Sequence, residues 1–418
     1  HSPHLAGEQV EAVRAAGTRD GVALLQAGAG TGKTTTARPI VEAAELSGLK
    51  VLGLAPSWVA ADELRKSTGI PAVAIAKWLH GRKHGVALPL DEHTLVIVDE
   101  ASMVGTRDMA AILIAARQTK AKVLLVGDQR QLEAVGAGGP LRIVADALNR
   151  EATLAQVRRQ QIAWQREASI AMSKGDVATG VQAYFDHGAI ETAEGRDATL
   201  ARSISAWAEL RRRHRGDVLM ITRRNKDVAD LNRSARALLK AEGRLAHKEI
   251  MLPSINREGK IVQIPIAVGD SLRFGQSHSA LALRNGSLLT VKAVINRGDS
   301  ARVILQFSDK RQIEVDWHEL APVLRGTIRP PRIVHAYAST VYGAQGRTVA
   351  ASVYTAIIDT DAGELYVALT RHAEDMKIIV AQEAGSRGIA PTVGMASHRL
   401  MRWSQTTGQK RNIIDFSR

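Results

Sequence analysis

The stretch Ala27-Gly28-Ala29-Gly30-Thr31-Gly32-Lys33-Thr34 is a glycine-rich loop of the kind that wraps phosphate groups, with alanine in its first glycine position. An apolar run from Val22 to Gln26 precedes it, and a helical pattern from Thr34 to Leu46 follows it. This order of strand, loop and helix is the context that a true phosphate-binding loop requires. The stretch therefore predicts an α/β fold with a nucleotide-binding edge.

The chemistry of this loop follows from its backbone and its last residues. Glycines let backbone N–H groups come close to a triphosphate, and the helix that follows adds the positive end of its dipole. Lys33 is placed to reach the β- and γ-phosphates, and the Thr34 hydroxyl to complete the coordination of Mg²⁺. The predicted nucleotide-binding residues of the loop are Gly28, Ala29, Gly30, Thr31, Gly32, Lys33, Thr34 and Thr35.

Two further apolar runs end on polar residues. Leu95 to Val98 is followed by Asp99 and Glu100, which predicts one carboxylate for Mg²⁺ and one, Glu100, to polarise the attacking water. Lys122 to Val126 is followed by a turn that contains Gln131, whose amide is placed to contact the γ-phosphate or the lytic water. The alternative is that these residues form solvated turns after core strands.

Two arginines far along the chain are candidates to complete the site. Phosphoryl transfer builds negative charge, and arginine pairs with phosphate oxygens in a bidentate way. Arg159 lies in Val157-Arg-Arg-Gln160, and Arg371 ends the segment Tyr366-Val-Ala-Leu-Thr-Arg371. The alternative for each is a surface ion pair.

Length and composition limit the class of protein. The 418 residues are too many for one compact core. The net charge of +14 predicts a polyanionic partner, the alternative being a solvated basic face. The absence of cysteine excludes disulfides, iron–sulfur clusters and Cys-based zinc sites and fits a reducing compartment. No apolar run approaches the ~20 residues that cross a bilayer, so we expect a cytoplasmic protein with no membrane partner.

The pattern along the chain predicts how the domains are arranged. Continuous apolar strands alternate with helices over residues 1–150 and again in 151–264 and 326–418, which is typical of parallel sheets covered on both faces. Residues 265–325 instead contain short alternating strands broken by Asn285-Gly286, which predicts a small β-barrel inserted into the second α/β domain.

The order of these motifs resembles superfamily 1 helicases, in the RecD-like and Dda-like branch that moves 5′→3′. The resemblance covers nearly the whole chain. It implies two RecA-like P-loop NTPase domains, 1A and 2A, with ATP and Mg²⁺ between them and an SH3-like 2B insertion. It also implies that Gln9 contacts adenine, that Arg159 is the motif IV arginine and that Arg371 ends motif VI.

The segment Leu154-Ala-Gln-Val-Arg-Arg-Gln160 and the run from His335 to Gly346 look most like the helicase half of conjugative relaxase-helicases. The chain departs from that pattern at Tyr342-Gly343, where the family commonly has a His-Lys pair. This departure puts a phosphate or DNA contact in doubt. No N-terminal histidine cluster with a nicking tyrosine is present, so we expect any relaxase domain to be fused outside this sequence or associated with it.

Candidate nucleic-acid contacts are of two kinds. Aromatic side chains stack on the bases of single strands, and polar side chains hold the phosphates. The candidates are Ser57, Trp58, Trp78, His335, Ser339, Thr340 and Gln345. Core packing is the alternative for both tryptophans. Residues 81–93 are a candidate pin that separates the strands.

The sequence as a whole predicts an ATP-dependent DNA helicase or translocase that acts on single-stranded DNA and duplex junctions. The alternative is a DNA-binding module of a larger assembly whose ATPase is degenerate or regulatory. A metabolic kinase fits less well, because it needs neither the Arg371 segment nor the basic charge.

Overall fold

The chain contains two parallel β-sheets covered by helices and an antiparallel β unit. The computed structural model describes residues 7–17, 20–28, 33–129, 131, 140–148, 151–154, 159–256, 258–278, 280–297, 301–321 and 329–382. The first lobe, residues 7–154, contains the helices α1 (Gly7–Ala16), α2 (Lys33–Leu46), α3 (Trp58–Thr68), α4 (Ile75–Lys83), α5 (Thr106–Thr119) and α6 (Pro140–Ala147). Its strands are β1 (Val22–Ala27), β2 (Lys50–Ala55), β3 (Ala72–Ala74), β4 (Thr94–Val98), β5 (Lys122–Gly127) and β6 (Glu151–Leu154). A short 3₁₀ turn, Ala101–Met103, follows β4.

The six strands of the first lobe are all parallel, in the order β3-β2-β4-β5-β1-β6. Their runs are apolar on both faces because helices cover both sides. On β4, for example, Leu95 and Ile97 join the cluster under α1, α2 and α3, whereas Val96 and Val98 join the cluster under α4 and α5. Strand β6 lies beyond residue 150, where the sequence placed the domain boundary, yet it pairs with β1.

The second lobe, residues 163–241 and 338–382, begins with α7 (Ala163–Ser173), α8 (Val177–Asp186), β7 (Ile190–Glu194), α9 (Gly195–Arg213), β8 (Val218–Thr222) and α10 (Asn225–Ala241). The chain then enters the β unit, residues 249–335, before it returns to the second sheet. As in the first lobe, the strand β8 is buried along its whole length.

The β unit is entirely antiparallel and begins earlier than residue 265. A hairpin of β9 (Glu249–Ile255) and β10 (Ile261–Ala267), which the sequence pattern did not reveal, comes first. The remaining strands are β11 (Ser271–Phe274), β12 (Leu288–Asn296), β13 (Ala301–Phe307), β14 (Gln312–Asp316) and β15 (Ile333–His335), in the order β14-β13-β12-β11-β15. A 3₁₀ turn, Trp317–Leu320, follows β14. The unit has its own buried cluster around Phe274 and Trp317.

The second sheet is completed by β16 (Ala338–Thr340), α11 (Val341–Ala344), β17 (Val349–Ala356), α12 (Ala362–Leu369) and β18 (His372–Gln382). Its five strands are parallel, in the order β16-β8-β17-β18-β7. Both lobes therefore have parallel sheets, as the sequence predicts.

A buried ionic joint attaches the β unit to the second lobe. Arg236 of α10 donates to both carboxylate oxygens of Asp270, at 2.8 and 3.0 Å, and Asp270 is fully buried. The Tyr337 hydroxyl donates to the same carboxylate at 3.1 Å. Breaking such a buried pair leaves an uncompensated charge, so the joint holds the two parts together firmly.

Candidate functional site

The carboxyl ends of β1, β4 and β5 meet at one edge of the first sheet, and polar residues follow each of them. These residues are Gly28, Asp99, Glu100 and Asp128. Asp99 accepts a hydrogen bond from the backbone N–H of Glu100 at 2.9 Å. Glu100 has a left-handed backbone with a φ of 49°, which is uncommon for a residue with a side chain and recurs at functional sites.

The phosphate loop lies between β1 and α2, as the sequence predicts. Gly28 is buried at the end of β1, and Lys33 begins α2. Residues 29–32 lie outside the described residues, as do the side chains of Gln9, Lys33, Thr34 and Thr35. The assigned contacts of these residues therefore stay predictions.

One cavity of about 570 Å³ adjoins all three parts of the molecule. The first lobe contributes Gly28, Asp99, Glu100 and Gln131 to its lining. Arg159 and Arg371 line the same cavity, together with Arg273 and the segment 342–348. Folding thus brings the predicted acidic residues and the predicted arginines to one space, although they are far apart in the sequence.

Arg159 and Arg371 are held by the turn between α12 and β18. Arg159 donates to the carbonyl of Thr370 at 2.6 Å, and Arg371 donates to the Thr370 hydroxyl at 3.0 Å and to the Val367 carbonyl at 2.9 Å. The next residue after Arg159, Gln160, donates to the His372 carbonyl at 3.2 Å. Hydrogen bonds to fixed backbone groups lock the side chains in place, so both arginines are positioned in advance.

The electrostatics of the cavity favour an anion. Burial, followed by the charge of Arg159, lowers the pKa of Arg371 to about 9. Burial also lowers the pKa of Arg159, whereas the charge of Glu100 opposes that shift. On the opposite wall, burial and then Glu100 raise the pKa of Glu63. Because guanidinium groups stay charged in proteins, a lowered pKa means that two buried cations lack sufficient compensating charge.

Asp128 is the centre of a buried hydrogen-bond network between the lobes. It accepts hydrogen bonds from Gln131 at 3.0 Å and from Gln26 at 3.2 Å, both within the first lobe. The Tyr366 hydroxyl of α12, in the second lobe, donates to it at 2.9 Å. Gln131 therefore has its amide fixed beside the cavity, and the two lobes are joined directly at the site.

Two of the candidate nucleic-acid residues lie at the start of α3. The Ser57 hydroxyl caps this helix by accepting from the Ala60 N–H at 3.2 Å, and it lines the cavity. Trp58 is half-buried, and two cations lie over its ring, Arg284 at 4.9 Å and Lys77 at 5.1 Å from the centroid. Base stacking on Trp58 stays a prediction.

Trp78 is a core residue, and the structure corrects the prediction that it contacts nucleic acid. Its side chain is 2% exposed and packs in the cluster under α4 and α5. A base cannot reach a ring that is covered by neighbouring apolar side chains. The candidate pin at 81–93 contains the last turn of α4 and then no helix or strand.

Two further candidates are less accessible than the sequence suggested. The His335 side chain is 11% exposed, and its Nε2 lies 2.9 Å from the Pro265 carbonyl. Ser339 is buried within β16. Direct phosphate contact by His335 and Ser339 therefore stays a prediction.

Thr340 and Gln345 flank the short helix α11, whose residues Tyr342 and Gly343 line the cavity. The Thr340 hydroxyl caps that helix by accepting from Gly343 N–H at 3.1 Å. The amide nitrogen and oxygen of Gln345 are both buried, line the 570 Å³ cavity and make no hydrogen bond to the described residues. An unsatisfied buried amide is costly, so Gln345 has the capacity to bind a polar ligand group.

Several residues of the site were not found from the sequence. Glu63, Arg273 and Arg347 line the cavity, and burial lowers the pKa of Arg347. Glu63 and Arg273 belong to no local pattern that distinguishes them from solvated surface residues, whereas Arg347 directly follows the run from His335 to Gly346. Tyr366 begins the segment that ends in Arg371, but no local feature of the sequence indicates that its hydroxyl reaches Asp128.

Comparisons with known proteins agree with this geometry. The AAA domain family matches residues 4–195. The conjugal transfer protein TraA of Rhizobium radiobacter is 30% identical over 397 residues, which is 94% of this chain and 34% of that protein. The ATP-dependent RecD2 DNA helicase of Deinococcus radiodurans is 41% identical over 141 residues, covering 33% of this chain and 19% of that protein.

Among solved structures, the Pif1 helicase from Candida albicans superposes with a TM-score of 0.59 at 16% identity, covering 97% of this chain and 99% of that chain. At this identity the likeness concerns the fold. The matches to TraA over nearly the whole chain and to RecD2 over a third of it support the resemblance to RecD-like superfamily 1 helicases that the motifs indicate. The recognition made from the motifs is thereby confirmed.

The chain spans about a third of the length of the curated relatives that it matches first. Its two-lobed α/β architecture with parallel sheets matches that of the Pif1 structures. Within the described residues, no helix is both long and apolar enough to span a membrane.

Proposed function

We propose that this chain is an ATP-dependent DNA helicase or translocase that moves 5′→3′ on single-stranded DNA. One observation carries the proposal: Arg159 and Arg371, on the side of the second lobe, line the same cavity as Asp99 and Glu100 of the first lobe. A nucleotide bound there contacts both lobes. Its binding and hydrolysis are then coupled to their relative movement.

The residues of the cavity fit a nucleoside triphosphate. Two buried arginines whose pKa values are lowered by burial supply positive charge for the phosphates. Glu100 is placed to accept a proton from the attacking water, and Gln131, fixed by Asp128, to orient it. The nucleotide contacts of Lys33 belong to the same proposal.

The same set of donors fits a magnesium ion. Asp99 lines the cavity, and oxygen ligands such as a carboxylate and a hydroxyl suit Mg²⁺. In this proposal Asp99 and Thr34 would hold the ion, which, when bound, neutralises negative charge on the phosphates. The backbone N–H of Glu100 fixes the Asp99 carboxylate for this role.

We assign the first lobe to RecA-like domain 1A, the second lobe to domain 2A and the β unit to an SH3-like 2B domain. The net charge of +14 supports a nucleic-acid partner. TraA is named as a conjugal transfer protein, which supports a role in conjugation next to a fused or associated relaxase domain. The Pif1 structures include complexes with single-stranded and forked DNA, which supports those substrates here.

A DNA-binding module with a degenerate ATPase is the second candidate. The observation that favours it is Tyr342, which is 38% exposed beside the cavity and takes the place of a basic residue in the related pattern. Strong stimulation of ATP turnover by single-stranded DNA supports the motor. A flat response supports the module.

The test compares Lys33→Ala with the unmodified chain. We expect ATP turnover to be abolished and single-stranded DNA binding to be largely retained, because Lys33 is assigned to the phosphates. Lys50→Ala is the matched control. The Lys50 side chain is 76% exposed and lies at the start of β2, whereas the site lies at the carboxyl ends of the strands. Full turnover by Lys33→Ala would contradict the site assignment. Unwinding of 5′-tailed but not 3′-tailed duplexes tests the polarity.

A further inference from the structure

A contact between the β unit and helix α3 bridges the mouth of the cavity. Arg284, in the loop between β11 and β12, forms an ion pair with Asp62 of α3. Its guanidinium group also lies over the Trp58 ring, 4.9 Å from the centroid. The side chains of Arg284 and Asp62 are 25% and 19% exposed, so the pair is largely shielded from water.

The backbone of the same loop comes equally close to α3. Gly286 has a φ of +97°, and a Cβ built on it would lie 2.9 Å from Cγ2 of Val59. No side chain fits there without displacing Val59, and the left-handed backbone favours glycine independently. We name this contact, made by Trp58, Val59, Asp62, Arg284 and Gly286, the clasp.

The clasp closes a ring around the cavity. The chain itself connects the first lobe to the second lobe, and the buried pair of Arg236 and Asp270 fixes the second lobe to the β unit. Among the described residues, the β unit meets the first lobe at the clasp through an ion pair, a cation–π contact and a van der Waals contact. Unlike the covalent connection between the lobes, these contacts can break and form again.

Two neighbouring cavities lie beside the clasp and share part of their lining. The cavity of about 570 Å³ is lined by Arg273 and Arg347, and a second cavity of about 320 Å³ shares Arg273, Asn285 and Tyr342 with it. Arg332 lines the second cavity. The second cavity has two arginines and no acidic residue in its described lining, so it fits the phosphate backbone of a single nucleic-acid strand, next to the nucleotide cavity.

We propose that the clasp is a gate that opens to admit single-stranded DNA sideways and closes to keep the strand inside the ring. The proposal rests on the function proposed above and adds a route of loading and a cause of retention. An ion pair and a cation–π contact suit a gate, because both are shielded from water when the clasp is closed and become weak once it opens to water.

The absence of cysteine from the chain allows a direct test by cross-linking. A Cβ built on Gly286 lies 3.9 Å from Cβ of Val59, within the separation that a disulfide needs. The double variant Val59→Cys/Gly286→Cys should therefore cross-link on oxidation and lock the clasp. Its reduced form, checked for folding by thermal unfolding, is the control.

The assay compares loading onto a linear single-stranded DNA and onto a closed circle of the same length and composition. We expect the oxidised variant to bind the linear strand by threading from an end, and to load on the circle at least tenfold more slowly than its reduced form. Equal loading of the oxidised variant on the circle overturns the gate. Failure of the cysteines to cross-link in the folded protein also overturns it.

Arg284→Ala tests the same gate without cysteines. It should shorten the residence time on the circle several-fold, and more so at low salt, where the native ion pair is least screened. Arg311→Ala is the matched control, because Arg311 lies 3.8 Å from the Phe307 ring within the β unit and away from α3. Equal residence times for Arg284→Ala and the unmodified chain overturn the gate. If the unmodified chain does not bind single-stranded DNA at all, the proposed function is refuted, and the gate with it.

Discussion

The hydrogen bond between Tyr366 and Asp128 offers a sharp test of how the two lobes cooperate. The Tyr366 hydroxyl donates to the Asp128 carboxylate at 2.9 Å, and both side chains are 1% exposed. The bond joins α12 of the second lobe to the end of β5 in the first lobe. Tyr366→Phe removes only the hydroxyl and leaves the ring in place, so packing is preserved.

The size of the effect follows from the chemistry of the bond. A hydrogen bond to a charged group contributes about 1.5–3 kcal/mol, which corresponds to roughly 10–150-fold in an equilibrium constant. Asp128 keeps its bonds from Gln131 and Gln26, so the carboxylate is not left bare. Because the lost bond is between the lobes, we expect the loss to fall on their closure around the nucleotide. KM for ATP should therefore rise by about tenfold or more.

The assay is steady-state ATP hydrolysis with saturating single-stranded DNA, accompanied by thermal unfolding. Tyr354→Phe is the matched control, since the Tyr354 hydroxyl lies 2.5 Å from the Thr360 hydroxyl, buried and entirely within the second lobe. That variant should lower the unfolding temperature with little change in KM. If Tyr366→Phe behaves like the control, losing stability while its KM for ATP stays the same, then the bond between Tyr366 and Asp128 does not contribute to closure of the lobes around the nucleotide.

Two further predictions concern the turn that carries the arginines. Arg371→Met should reduce ATP turnover by at least ~100-fold, which is the loss typical of removing a group that stabilises transition-state charge. The unfolding temperature should not fall, because burial already disfavours this cation and lowers its pKa to about 9. Turnover near that of the unmodified chain would exclude the assigned role. Burial lowers the pKa of His372 to about 3 from an ordinary 6.5, so the unfolded chain takes up a proton as the pH falls below 6.5 and the folded chain does not until about 3. The free energy of unfolding should therefore fall by about 2 kcal/mol between pH 7 and pH 5, and His372→Gln should remove that loss in denaturant titrations at the two pH values; an unchanged pH dependence in the variant would refute the assignment.

The sequence predicted most of the secondary structure near the site. The strands before Gly28, Asp99 and Asp128 were recognisable because parallel strands covered on both faces are continuous apolar runs. The hairpin of β9 and β10 was missed because Pro253 and Pro265 lie inside its strands and large apolar residues such as Met251 occupy exposed positions, so the sequence lacks a clear polar–apolar alternation. Its two strands are defined by their pairing with each other, which no local pattern reveals.

The residues of the candidate site could also be predicted only in part from the sequence. Arg159 and Arg371 were chosen from sequence segments, but that they line one cavity with Glu100 became apparent only in the folded chain. For Trp78 the sequence left stacking and core packing open, and burial under α4 and α5 decided for the core. Which face of a helix is covered depends on partners that are distant in sequence.

The sequence by itself determined the phosphate loop, the acidic ends of the strands and the family, because these depend on residues that are neighbours in the chain. The tertiary structure alone decided the bond from Tyr366 to Asp128, the electrostatics around Arg371 and the clasp of Arg284 on α3. Each of these joins residues separated by at least a hundred positions. The physical reason is that burial, low dielectric and ring closure arise only when distant segments pack against one another.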